Sequence, residues 1–378
     1  MIRPLLVASA VAGVLVLGAG LTACTGANPI TAPSTPRPTP TVDAGVQPVG
    51  TPTDVVTGLA APWSIVQFSG LTLVSERDTG VIEQLTPSGG LNPVGTVPGV
   101  VHQGEGGLLG LAYLDDGGAE WLYAYESTAD DNRIVRMELG GDLADGEPSL
   151  GDVEVVLSGL AQAGNHNGGR IAFGPDGMLY ATVGDAGQPD RAQDPASLNG
   201  KILRMTPTGD VPSDNPTADS LVYSMGHRNP QGLAWDSDGQ LWAAEFGQDT
   251  WDEFNRIEPG GNYGWPVVEG QTGDPRFIDP WVQWATDDAS PSGLAYIDGT
   301  FFLAALKGQR VWAIYVDEAA GAASVSPYFV GELGRIRDVT EGPDGSLWLL
   351  TNNTDGRGSP RDGDDRIMQV ELTPLVEG

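Results

Sequence analysis

The chain repeats one hydrophobic pattern six times. A short apolar strand leads into a turn, usually containing Asp-Gly, and then into a second apolar strand. The first strands centre on Ile65, Leu111, Ile171, Leu233, Leu294 and Val339, about 45 to 62 residues apart. The second strands follow at 71–73, 121–123, 179–180, 241–242, 301–302 and 347–348. A period of this size in a β-patterned chain predicts an all-β fold, a six-bladed β-propeller of four-stranded antiparallel blades. In such a ring, equivalent positions of successive blades lie on one face around the central channel. The residues just before the first strands include Glu105, His166, Arg228, Asn229, Arg335 and Arg337. The phase therefore predicts that groups spread over more than two hundred positions converge.

Composition agrees. Gly 54 and Pro 29 suit an all-β repeat with many tight turns, and no long stretch carries an apolar helical period. The first residues have a different pattern. Arg3 precedes an apolar run from Leu5 to Gly20, and Leu21-Thr22-Ala23-Cys24 follows. A basic start, an apolar centre and small residues at the end describe a secretory signal. Its end resembles a bacterial lipobox, which implies cleavage before Cys24 and lipid attachment to that thiol. The plainer alternative is an ordinary signal peptide with an incidental cysteine. Cys24 is the single cysteine of the chain, so no intramolecular disulfide forms. The expected organisation is a lipoprotein signal peptide at 1–23, a Pro/Thr-rich disordered tether at 24–52, and the propeller at 53–378. The implied location is extracytoplasmic, with the lipid anchor as the contact to the bacterial cell membrane.

The formal net charge is −31, from 19 basic and 50 acidic residues. Nucleic acid is excluded as a partner, because its phosphates would be repelled. Against that background, clustered cations stand out.

Asn165-His166-Asn167-Gly168-Gly169 opens the third repeat. An imidazole among glycines suits proton abstraction from an alcohol; the alternative is a loop histidine bonded to a carbonyl. Gly184-Asp185 closes the second strand of the same repeat and could place a carboxylate beside it, or be a turn. Arg228 and Asn229 combine a fixed cation with an amide, a pair able to polarise a carbonyl or quinone oxygen. Lys307, Arg335 and Arg337 complete a cationic set. Arg335 and Arg337 share strand parity, so they repel unless an anion lies between them. That anion is either a ligand with several carboxylates or phosphates, or one of Asp338, Glu332 and Glu341. Acidic residues and Gly-rich carbonyls over 245–266 suit calcium, or are solvated turns. No paired His or Cys spacing points to zinc.

Taken in order, Gly104-Glu105-Gly106-Gly107-Leu108-Leu109-Gly110, Asn165-His166 with Gly169-Arg170, Gly184-Asp185, Gly226-His227-Arg228-Asn229-Pro230-Gln231-Gly232, Gly260-Gly261-Asn262-Tyr263-Gly264-Trp265-Pro266, Lys307-Gly308 and Arg335 with Arg337-Asp338-Val339 resemble the soluble quinoprotein glucose and sorbosone dehydrogenases. The aldose sugar dehydrogenase subgroup is the most similar. The resemblance implies pyrroloquinoline quinone (PQQ) over the channel mouth, His166 as general base and Asp185 as its partner. It implies Arg228 and Asn229 at the quinone oxygens, and Lys307, Arg335 and Arg337 at the cofactor carboxylates. It implies calcium held by the carbonyls of Gly247 and Gln248, a second calcium at Glu253 and Tyr263, and Trp284 near the sugar. The substrate would be an aldose sugar, with an external electron acceptor taking the electrons. One position departs: the family often has Gln where this chain has Glu105, and Gln103, two residues upstream, is a candidate substitute.

Two other functions remain open at this level. A calcium-dependent propeller lactonase or other hydrolase would use the same channel, although Lys307, Arg335 and Arg337 would repel its metal. A non-enzymatic ligand-binding propeller would keep the fold without turnover.

Overall fold

The computed structural model describes residues 45–143 and 145–375. The expected signal peptide, Cys24 and most of the expected tether lie outside these residues. Six four-stranded antiparallel sheets follow one another as blades. Their inner strands are Pro62–Phe68, Leu108–Asp115, Ile171–Phe173, Pro230–Trp235, Pro291–Ile297 and Ile336–Glu341. Each contains the residue on which the sequence pattern centred.

The second strands explain why that pattern was so regular. Leu71–Glu76, Leu179–Val183, Leu241–Glu245, Thr300–Ala305 and Leu347–Thr351 are buried along their whole length. A strand covered on both faces reads as a continuous apolar run. The outermost strands alternate or face solvent, as in Glu147–Leu160. Six apolar clusters fill the space between neighbouring blades; Leu73 with Leu122, Tyr180 with Leu241, and Leu350 with Val74 mark three of them. The last of these joins the sixth blade to the first, so the ring is closed.

The closure corrects the expected domain boundary. Val46–Thr57 is a strand that pairs with Arg366–Pro374 and completes the sixth blade. Residues 46–52 therefore belong to the propeller and not to a tether. Covering the edge of that blade also removes a template for aggregation.

Across the channel, Arg170 Nη1 donates to Asp338 Oδ2 at 3.0 Å and to Ser64 Oγ at 3.2 Å, while Arg170 Nε donates to the Gln231 carbonyl at 2.9 Å. One buried guanidinium thus ties the first, third, fourth and sixth blades together. Removing one partner of a buried pair like this costs about 3–5 kcal/mol.

Candidate active site

A cavity of about 300 Å³ opens at the centre of the ring. His166, Arg228, Asn229, Lys307, Arg335 and Arg337 all line it, together with Glu105, Gly247 and Gln248. The phase argument from sequence is met for the residues it named, Glu105, His166, Arg228, Asn229, Arg335 and Arg337, while Lys307, Gly247 and Gln248 reach the cavity from loops that follow second strands.

His166 is held from both ends. Its main chain has φ +56, a conformation uncommon outside glycine. Gly184 permits this, because a Cβ there would meet the His166 carbonyl oxygen at 2.1 Å. The imidazole Nδ1 lies 2.8 Å from Asp185 Oδ1, and the Asp185 side chain is fully buried. Asp185 is itself fixed: Oδ1 accepts the Gly187 N–H at 2.7 Å, and Oδ2 accepts Trp265 Nε1–H at 2.9 Å. A carboxylate on Nδ1 sets the tautomer that carries its proton there and leaves Nε2 as the basic nitrogen. The other two histidines of the chain are engaged elsewhere. His227 is buried between Glu245 and Ser224, and His102 bonds the Gly106 carbonyl.

Arg228 and Asn229 sit on the wall next to this pair. Asn229 Oδ1 accepts the Gly168 N–H at 3.0 Å, which aims its amide group. Arg228 Nε and Nη2 donate to Gln248 Oε1 at 2.9 and 2.7 Å. Burial lowers the Arg228 pKa, against the opposing charges of Asp185, Glu245 and Glu105. Lys307 is exposed at the rim and paired with Asp287.

At the other end, the anion between Arg335 and Arg337 is Asp355, which was absent from the candidates Asp338, Glu332 and Glu341. Arg335 Nη2 donates to Asp355 Oδ2 at 3.0 Å, and Arg337 Nη2 lies 3.8 Å from it. Asp338 is paired with Arg170 instead. A clue was available: Asp355 follows the second strand of the sixth blade, much as Asp185 follows that of the third. Arg357, another missed residue, also reaches the cavity. Its Nη1 donates to Glu105 Oε1 at 2.8 Å, while Glu105 Oε2 accepts the His166 N–H at 3.0 Å. Burial opposes ionisation of Glu105, but the Arg357 hydrogen bond and charge and the His166 contacts outweigh it and hold the carboxyl below its ordinary value. Glu105 is therefore an ionised brace for the histidine backbone.

Two expected site residues are not there. Gln103 is exposed and does not line the cavity; its carbonyl accepts the Gly106 N–H at 3.0 Å and closes a turn. It does not replace the family glutamine. Trp284 is 6 % exposed and packs in the core between the fourth and fifth blades, 5.6 Å from Trp312. The aromatic groups on the cavity wall are Trp63 and Phe246.

The oxygen donors expected for a cation divide into two groups. Among the described residues, the carbonyls of Gly247 and Gln248 accept no hydrogen bond, which suits a hard cation. Glu253 is buried, accepts from Asn255 Nδ2 at 3.0 Å and the Gly270 N–H at 2.7 Å, and has the unpartnered Asn255 Oδ1 nearby. Tyr263 donates its hydroxyl to the Arg256 carbonyl at 2.6 Å and accepts the Glu258 N–H, so only its main-chain carbonyl is available. Among the described residues, no group of three or more His, Cys, Asp or Glu side chains could hold a metal.

A closed six-bladed ring, with a carboxylate-oriented imidazole facing a cation-lined axial cavity, defines a propeller enzyme with its site on the axis. The model of the Glucose / Sorbosone dehydrogenase family matches residues 59–360, and the chain belongs to that family. The aldose sugar dehydrogenase of Escherichia coli K12 is 31% identical over 71% of this chain and 81% of its own length. An uncharacterised protein of Synechocystis is 32% identical over 80% of this chain and 84% of its own length. Among solved structures, the PQQ-bound aldose sugar dehydrogenase of Streptomyces coelicolor superposes with a TM-score of 0.82 at 49% identity, covering 87% of this chain and 98% of that one.

Proposed function

We propose that this protein is a PQQ-dependent dehydrogenase that oxidises an aldose sugar at its anomeric carbon to the lactone. The observation that carries the reading is the pairing of His166 with buried Asp185 on the wall of a cavity whose far end is lined by arginines. An anionic cofactor fits the donors present, because Arg335 Nε is buried without a hydrogen-bond partner. When bound, PQQ supplies a quinone that accepts a hydride.

The chain's own residues do the rest. His166 Nε2 takes the proton of the anomeric hydroxyl as the hydride leaves the adjoining carbon, so the sugar loses two electrons and two hydrogens. Asp185 stabilises the imidazolium that results. A base so placed contributes ~10²- to 10⁴-fold, and the cavity walls contribute orientation. Arg228 and Asn229 would face the quinone oxygens; Arg335, Arg337 and Lys307 would neutralise the cofactor carboxylates. Calcium would sit against the Gly247 and Gln248 carbonyls, and a second ion beside Glu253 and the Tyr263 carbonyl. An external acceptor then removes the electrons.

The location follows as part of the proposal: export, with lipidation at Cys24. Labelling with a radioactive fatty acid in wild type but not in Cys24→Ala supports it.

Dye reduction by the protein across a panel of aldoses, with and without added PQQ and calcium, tests the activity. The reading requires sugar-dependent reduction only after reconstitution. Cofactor binding without turnover on any sugar would favour the non-enzymatic binding propeller instead. Hydrolysis of a lactone with calcium alone would favour the hydrolase.

A further inference from the structure

Asp355 occupies a place that the cofactor reading reserves for a ligand. Its side chain is fully buried between Arg335 and Arg337. Its Oδ1 accepts the Arg357 N–H at 2.9 Å, and its main-chain carbonyl accepts Arg77 Nη2 at 3.3 Å. The two arginines it joins differ in their other partners. Asn352 Oδ1 accepts Arg337 Nε and Nη2 at 3.2 and 2.9 Å, and Gln231 Oε1 accepts Nη1 at 2.9 Å. Arg335 has its Nη2 on Asp355 and its Nε unpartnered. Burial pushes Arg337 down to about 9, with Asp355 opposing and Arg335 and Arg77 adding to the fall.

We propose that Asp355 is an internal counter-anion of the cofactor site, holding Arg335 and Arg337 together in the free protein and competing with an incoming anionic ligand for Arg335. The proposal rests on the anionic-cofactor reading above. Buried like charges repel strongly when no anion screens them. Neutralising Asp355 leaves that repulsion in the free protein, and an arriving carboxylate then relieves more of it. One substitution therefore moves two quantities in opposite directions: the free protein becomes less stable and the anion binds more tightly. A carboxylate that merely shaped the pocket would weaken both when removed.

The test compares the full chain with its Asp355→Asn variant by thermal unfolding without ligand and by calorimetric titration with PQQ in calcium-containing buffer. The expected result is a melting temperature lower by about 5 °C or more, together with PQQ binding roughly tenfold tighter. Unchanged or weaker PQQ binding in the variant overturns the proposal. If Asp355→Asn does not fold, the Asp355→Asn/Arg335→Gln double variant should fold, since it removes one of the two repelling charges; an unfolded double variant overturns the proposal. A wild-type protein that binds no PQQ sinks the quinoprotein reading instead. Inorganic phosphate then serves as the probe, with tighter binding in Asp355→Asn expected and equal or weaker binding overturning the counter-anion.

Discussion

Asp185 Oδ1 stands 2.8 Å from His166 Nδ1, and the other oxygen of the same carboxylate is held by Trp265 at 2.9 Å. The imidazole is thus oriented by a group that is itself oriented. Asp185→Asn should lower kcat by ~10²- to 10⁴-fold, since an amide can present the wrong hydrogen-bond pattern to Nδ1. Trp265→Phe frees one oxygen only and should cost less than Asp185→Asn. Steady-state kinetics of the two variants checks the order; a larger loss in Trp265→Phe would contradict it.

Arg335 and Arg337 are assigned to binding, and His166 to chemistry. Replacing both arginines by alanine should weaken PQQ affinity by about 10²-fold, measured by titration of the apoprotein. Normal affinity in the double variant would remove the anion site from the account.

Much of this was legible beforehand because blade phase is a strong constraint. Inner and second strands are largely covered, so their apolar runs could be read directly, and phase then brought His166, Arg228, Arg335 and Arg337 to one cavity, which Lys307 joins from the loop after the second strand of the fifth blade. The failures share a cause. Val46–Thr57 is rich in Pro, Thr and Gly like the residues before it, and its partner strand lies more than three hundred residues away. Asp355 and Arg357 sit in a loop with no periodicity of its own. Trp284 pairs across from Asp252 on the outer strand of the fourth blade, where side chains enter the interblade core.

Glu105 accepts the His166 N–H and the Arg357 guanidinium, two contacts that separate by substitution. Glu105→Gln keeps an acceptor for the N–H and should hold kcat within about threefold, whereas Glu105→Ala should lose about tenfold or more. The pH dependence has a definite sign. The folded carboxyl lies below its ordinary 4.5, so its stabilisation is present above that value and is lost as pH falls through the lowered one. Glu105→Gln should therefore flatten the acid limb of the stability profile measured by chemical unfolding. An unchanged limb would show that the Glu105 charge contributes nothing.

Ring closure depends on the N-terminal strand. Deleting residues 46–49, which pair with 371–374, should expose the edge of the sixth blade and lower the melting temperature by about 5 °C or more. Scanning calorimetry checks this, and an unshifted transition would show that the closure is dispensable.

The central claim is that His166 removes a proton from a sugar while the cofactor is held by other residues. Stopped-flow absorbance of PQQ-loaded protein mixed with an aldose tests it most directly, comparing wild type with His166→Ala. The account predicts rapid reduction of the bound quinone in wild type, and full PQQ occupancy with no measurable reduction in the variant. Reduction at a comparable rate in His166→Ala would contradict it.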